Sequence, residues 1–162
     1  MSNAQRKYEV WLNNPNFDRD TKDELQSIKG NVSEIEDRFY QDLSFGTAGL
    51  RGVLGAGTNR MNIYTVGRAA DGFARYFKER GAEFCARGLA ISYDSRHFSP
   101  EFAELVARIF VTYGIRVVLS DELRPTPMLS FAVRHFNCAG GVMITASHNP
   151  KMYNGFKAYG ED

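Results

Sequence analysis

Gly88-Leu89-Ala90-Ile91-Ser92-Tyr93-Asp94 is a short apolar run that ends on polar residues, and Ser99-Pro100-Glu101 follows it. A run of this length fits a buried strand whose C-terminal end opens into a surface loop. Ser99-Pro100-Glu101 predicts a helix start, with a hydroxyl N-cap, a proline at the first helical position and an acid in the first turn. Phe102, Leu105, Val106, Ile109, Phe110 and Tyr113 then share one helical face, and Gly114 ends it. Downstream, residues 115–119 read as the next strand. Thr126-Pro127 opens a helix carrying Met128, Leu129, Ala132, Val133 and Phe136, and residues 141–145 are again a strand. Strand, helix, strand, helix, strand with short connections predicts parallel strands joined by right-handed crossovers.

Upstream, Val66, Ala69, Ala70, Phe73, Ala74 and Phe77 recur at helical spacing, with Gly81 as a stop. Residues 155–159 add a last strand and residues 43–46 an early one. The first 40 residues are polar and helix-prone, with Trp11, Leu12, Phe17, Leu25, Ile28, Ile35 and Phe39 as scattered anchors. Asp20 is read there as the N-cap of a helix ending before Gly30. Ser2-Asn3-Ala4 is set aside as a cloning remnant. The expected architecture is a three-layer α/β/α sandwich with a mixed, mostly parallel sheet (residues 41–162), preceded by an N-terminal helical extension (residues 1–40).

Composition narrows the function classes. The chain has 162 residues, 43% hydrophobic and 24% charged, as in a globular domain with its own core. Lys plus Arg number 20 against 19 for Asp plus Glu, a formal charge of +1, so no basic excess calls for nucleic acid or an anionic membrane. No stretch suggests a signal peptide or a membrane span. Cys85 and Cys138 lie outside any metal or redox spacing and read as reduced, core-facing thiols of a cytoplasmic protein.

Several motifs are missing. There is no G-x-x-x-x-G-K-[ST], and Gly55-Ala56-Gly57-Thr58-Asn59-Arg60 falls short of a dinucleotide fingerprint and reads as a flexible turn. His97, His135 and His148 lack zinc spacing, and His135 reads as a helix C-terminal histidine facing the dipole. Against these absences stands Thr145-Ala146-Ser147-His148-Asn149-Pro150, a serine immediately after a predicted strand, where open α/β sheets bind ligands. The flanks do not form a G-x-S-x-G elbow, and adjacent Ser147 and His148 do not make a triad. A serine ringed by Thr145, His148, Asn149, Lys151 and Lys157 suits a group that carries phosphate. An ordinary polar turn has the same composition.

This loop, followed by Asn154-Gly155-Phe156-Lys157, resembles the phosphoserine loop of the α-D-phosphohexomutases, the phosphoglucomutase and phosphomannomutase family. Phe45-Gly46-Thr47-Ala48-Gly49-Leu50-Arg51-Gly52 resembles that family's glycine-arginine motif, and Tyr93-Asp94-Ser95-Arg96 its Asp-x-Arg element. Pro125-Thr126-Pro127 also fits. The resemblance covers residues 42 to 162, and the glycine-arginine segment is most like that of longer bacterial phosphoglucomutases and animal relatives acting on hexose or pentose phosphates.

The resemblance implies that Ser147, when phosphorylated, passes its phosphoryl group to a sugar-phosphate hydroxyl. The bisphosphorylated sugar then returns its other phosphate to Ser147. It implies Mg²⁺ held at Ser147 through the phosphate only, and a sugar 1,6-bisphosphate as activator. Lys157 and Arg51 match basic positions near the reacting centre, and His148 orients the phosphoserine or assists proton transfer. Thr145 and Asn149 are expected to contact phosphate. Arg96 either contacts it, holds the loop through its donor fork, or serves as an ion-pair partner. Without the resemblance, Arg51 reads as a solvated loop charge and Lys157 as an edge lysine. Gly46, Gly49 and Gly52 are expected to allow close backbone approach or positive φ.

The family's aspartate-rich metal loop, sugar-selecting loop and terminal phosphate loop have no counterpart here. The expectation is a phosphoserine domain, inactive alone as a mutase, whose partners are a hexose or pentose phosphate and the remaining domains of the same enzyme. The alternatives are a non-catalytic sugar-phosphate-binding or assembly module that kept the fold, and a serine esterase.

Overall fold

The computed structural model describes residues 2–47 and 49–160. In chain order the elements are α1 (Asn3–Asn13), α2 (Arg19–Ser27), α3 (Val32–Phe39), β1 (Leu50–Val53), α4 (Ile63–Glu79), α5 (Ala82–Arg87), β2 (Leu89–Tyr93), α6 (Ser99–Thr112), β3 (Val117–Leu119), α7 (Thr126–His135), β4 (Gly140–Ile144) and β5 (Tyr153–Tyr159). The five strands form one sheet in the order β1-β5-β4-β2-β3. β2 is parallel to both β3 and β4, whereas β5 runs antiparallel to β4 and β1.

Strand alternation sorts side chains into layers. Leu89, Ile91, Val142, Ile144 and Phe156 face α4 and α6, burying Val66, Ala70, Ala74, Phe77, Phe102, Val106 and Phe110 into one core. Ala90 and Met143 face the opposite way, onto Leu129 and Val133 of α7. This is the expected α/β/α sandwich. On α7 only Leu129 and Val133 are buried; Met128 and Phe136, placed on the same face by periodicity, are exposed.

The first three helices have a small core of their own around Ala4, Tyr8, Leu25, Ile35, Phe39 and Ala56. Two sequence expectations fail here. Ser2-Asn3-Ala4 is part of the fold, because Ser2 caps α1 by accepting the Gln5 N–H and Ala4 is buried. The α2 cap is Asp18, which accepts the Thr21 N–H at 2.8 Å, leaving Asp20 in the first turn.

Gly55 to Arg60 is not a flexible turn. The Asn62 amide donates to the carbonyls of Gly55 (2.8 Å) and Gly57 (3.0 Å), Glu24 accepts the Ala56 N–H, and Arg38 donates to the Ala56 carbonyl. Asn62 also forms a capping box with Thr65 at the start of α4. Asn62→Ala is therefore expected to lower stability by about 1–2 kcal/mol, combining a lost cap with unsatisfied loop carbonyls, as read from a urea midpoint.

The early strand at residues 43–46 does not form. The Leu43 N–H donates to Thr58 O, and the ladder begins only at Leu50, after Gly49 bends the chain at φ 92°. After α4, Gly81 stops the helix as expected, but a short α5 follows between two glycines of positive φ, Gly81 and Gly88. Cys85 and Cys138 are buried free thiols.

Candidate active site

β2 and β4 are parallel neighbours in register, Tyr93 opposite Ile144, so the residues just past their C-terminal ends lie side by side. Those residues are Asp94 and Thr145. Thr145 Oγ1 donates to Asp94 Oδ2 at 2.5 Å and accepts the Ser147 N–H at 3.0 Å. Asp94 Oδ1 accepts the Ser99 hydroxyl (2.9 Å) and the Arg96 N–H (3.0 Å). The carboxylate is thus the hub that fixes the start of the serine loop.

Arg96 closes the loop from the other side. Its Nη1 donates to the carbonyls of Pro150 (2.9 Å) and Tyr153 (3.0 Å), and its Nη2 to those of Ser147 (2.9 Å) and Asn149 (2.6 Å). Its Nε lies 3.4 Å from Asp94. The loop-holding and ion-pair alternatives are therefore met together. With both terminal nitrogens taken up by carbonyls, no fork is presented to a phosphate. Ser147 sits in this clamp at φ 57° and is exposed. A non-glycine residue in this region is held there by its surroundings. His148 beside it is exposed and makes no side-chain hydrogen bond among the described residues.

Arg51 approaches from β1, across β5. Its Nη1 donates to Asn149 Oδ1 at 3.3 Å, whereas its Nε is buried without a partner. The side chain crosses above Gly155, its register partner, where a Cβ would lie 3.1 Å from Arg51 Cγ. Lys157, two residues along β5, shares with Arg51, Thr47 and Gly49 a cavity of about 260 Å³. Gly49 lets the chain pass close to β5 there, since a Cβ would lie 2.6 Å from Phe156 O and 3.1 Å from Lys157 Cα. Burial, then the nearby Arg51 charge, push the Lys157 ammonium below the usual lysine range, with Asp94 opposing. An anion between the two cations would relieve that repulsion.

Sequence reasoning thus named residues that the fold brings into two adjoining groups. Thr145, Ser147 and Asn149 lie in the loop that Arg96 clamps; Arg51 and Lys157 form a cationic wall joined to it through Asn149. Ala48 of the glycine-arginine motif lies outside the described residues. Ser99 and Asn154 were missed as site residues. Ser99 is not the N-cap of α6 but lies within it, fully buried, and Asn154 is equally buried beside it. The signal was in the sequence: a serine and an asparagine flanking the Asp-x-Arg and serine-loop segments.

A magnesium ion finds little protein here to hold it. Among the described residues no three His, Cys, Asp or Glu side chains cluster as a metal site. The site's carboxylate, Asp94, is already engaged by Ser99, Thr145 and Arg96. The residues present do not fit a resident metal.

Comparison with known proteins bears on the family and the fold. The profile described as "Phosphoglucomutase/phosphomannomutase, alpha/beta/alpha domain I" matches residues 42–162. A phosphoglucomutase of Staphylococcus epidermidis is 54% identical over 129 residues, which cover 80% of this chain and 23% of that protein. One from Staphylococcus aureus is 48% identical over 132 residues, again 80% and 23%. Among solved structures, a putative phosphomannomutase from Thermus thermophilus superposes with a TM-score of 0.66 at 38% identity, covering 75% of this chain and 26% of that one. The chain spans about 23% of the length of these curated relatives. No helix among the described residues is long and apolar enough to cross a membrane.

Proposed function

The chain belongs to the phosphoglucomutase/phosphomannomutase family through its α/β/α domain I, and from that premise we propose that it is the phosphoryl-carrying part of a sugar-phosphate mutase, with Ser147 as the carrier. The observation that carries this reading is an exposed hydroxyl held at φ 57° by Arg96 and Thr145, beside a wall built from Arg51 and Lys157.

In the first half-reaction the bond between Ser147 Oγ and phosphorus breaks, and a sugar-phosphate hydroxyl, losing its proton, forms the new O–P bond. The bisphosphorylated sugar reorients, and its other phosphoryl group passes back to Ser147 Oγ, freeing a hydroxyl on the sugar. The net change interconverts a sugar 1-phosphate with a 6-phosphate, or a pentose 1-phosphate with a 5-phosphate. Arg51 and Lys157 offset charge on the transferring group. Lys157, shifted toward its neutral form by burial and by Arg51, is the group suited to take or give the hydroxyl proton. His148, exposed next to the carrier, orients the phosphoserine from the solvent side. Asn149 ties Arg51 to the loop. A magnesium ion would add charge neutralisation at the phosphoserine, and its carboxylate ligands would have to come from other domains of a longer protein, since Asp94 is engaged by Ser99, Thr145 and Arg96. The same domains complete the substrate cleft, so this chain alone accepts phosphoryl groups but does not turn over.

The test is labelling with a glucose 1,6-bisphosphate that carries radioactive phosphate, in the presence of Mg²⁺, with the modified residue located by mass spectrometry. Label on Ser147 of the wild-type chain and none in Ser147→Ala is expected. Wild type labelling no better than the alanine variant would leave the non-catalytic module as the better reading.

A further inference from the structure

Helix α6 starts against its own sequence. Ser99-Pro100-Glu101 carries a good N-cap, yet the capping position is occupied by Phe98, an exposed aromatic at φ 63°, and no side chain caps the helix. The hydroxyl that would have capped it is displaced one residue into the helix and completely buried. There it donates to Asp94 Oδ1 at 2.9 Å and accepts from Asn154 Nδ2 at 2.9 Å. The Asn154 amide also donates to the carbonyl of His97 (2.9 Å), which holds the turn preceding Phe98. A left-handed bulky residue and an uncapped helix are both unfavourable locally, and such departures persist where surrounding structure enforces them, often for function.

The hydrogen bonds form one continuous chain. Asn154 donates to Ser99, Ser99 donates to Asp94, Thr145 donates to the other oxygen of Asp94, and the Ser147 N–H donates to Thr145. We propose that Ser99, supported by Asn154, is a positioning residue that sets the orientation of Asp94 and, through Thr145, fixes the backbone of the Ser147 carrier. It acts through other residues and touches neither substrate nor phosphate. The inference rests on Ser147 being the carrier, and its test separates the two ideas.

The variant is Ser99→Ala, which removes one oxygen and suits a helix. Two readouts are taken on the 162-residue chain. The first is amide hydrogen exchange of Ser147 by NMR, expected to quicken about fivefold to tenfold, the worth of one buried hydrogen bond, and by more than the amides in the rest of α6, while the urea midpoint falls modestly because Asp94 and Asn154 each lose a partner. The second is the rate of Ser147 labelling by glucose 1,6-bisphosphate, expected to fall with the half-saturating concentration unchanged. Unchanged Ser147 exchange, or faster exchange spread evenly over Ser147 and α6, overturns the proposal. If the wild-type chain takes no label, the carrier reading fails, and the exchange result alone decides whether Ser99 positions the loop. Should Ser99→Ala not fold, the wild type still decides. The Ser99 and Thr145 hydroxyl protons, held by Asp94, should exchange slowly enough to be seen, and their absence overturns the chain of bonds.

Discussion

Arg96→Leu should destabilise the fold by about 3–5 kcal/mol and expose the serine loop to proteolysis, because it removes one partner of a largely buried charge pair. The Arg96 side chain is 14% exposed, and its guanidinium sits over four carbonyls and beside Asp94. Simple addition of four charge-assisted hydrogen bonds would overstate the loss, since the bonds to Ser147 and Pro150 lie at the surface and water can replace the donor there. The bonds to Tyr153 and Asn149 are less open, and Asp94 loses its countercharge. Arg96→Lys is expected to recover part of the stability and little of the loop order. An ammonium keeps the charge but cannot reach two pairs of carbonyls with a planar fork. A urea titration measures the first effect, and limited proteolysis at residues 147–152 the second. A lysine variant as resistant as wild type would show that charge alone holds the loop.

The parts of the fold legible in the sequence are those whose periodicity is sustained. The run from Leu89 to Tyr93 is legible as an unbroken apolar segment buried on both faces, and the helical faces of α4 and α6 are long enough for burial to impose a period of 3.6. β1 was misplaced because it is a four-residue edge strand whose start is set by Gly49 and by pairing with β5, neither of which is local. The N-terminal helices were legible as helices, but their small core joins residues as distant as Ala4, Leu25 and Ala56, and no window contains all three.

The site shows the same division. Ser147 could be found because it follows a strand directly. Arg51 and Lys157 could be tied to it only by resemblance, since Arg51 contacts a residue 98 positions away. Ser99 was misread for a physical reason: its local preference for capping is outweighed by a buried hydrogen bond from Asn154 and a part-buried one to Asp94. Arg96, open to several readings in the sequence, acts through donors aimed at backbone, which no residue pattern records.

Gly155→Ala tests how Arg51 reaches the loop. Gly155 is buried in β5 between β1 and β4, and a Cβ there would lie 2.6 Å from Thr145 O and 2.8 Å from Leu50 O. Neither atom can swing away like a side chain, for both are backbone oxygens, Leu50 O in β1 and Thr145 O just past the end of β4. Thr145 is further tied by its N–H to Gly155 O at 3.0 Å. One methyl group must therefore push apart β1 and the end of β4, at a cost of about 3 kcal/mol, the upper end for overpacking. It also meets Arg51 Cγ at 3.1 Å and turns that side chain away from Asn149. Ser147 labelling should therefore fall further in Gly155→Ala than in Arg51→Ala, which removes the cation but leaves the strands in place. Gly72→Ala is the control. Gly72 lies within α4 with nothing within 4 Å of its added Cβ, so the same change should stabilise by about 0.5–1 kcal/mol through helix propensity. A Gly155→Ala chain as stable as wild type would mean that β1 and β4 can separate around β5 without loss, and that Arg51 does not depend on this gap to reach the serine loop.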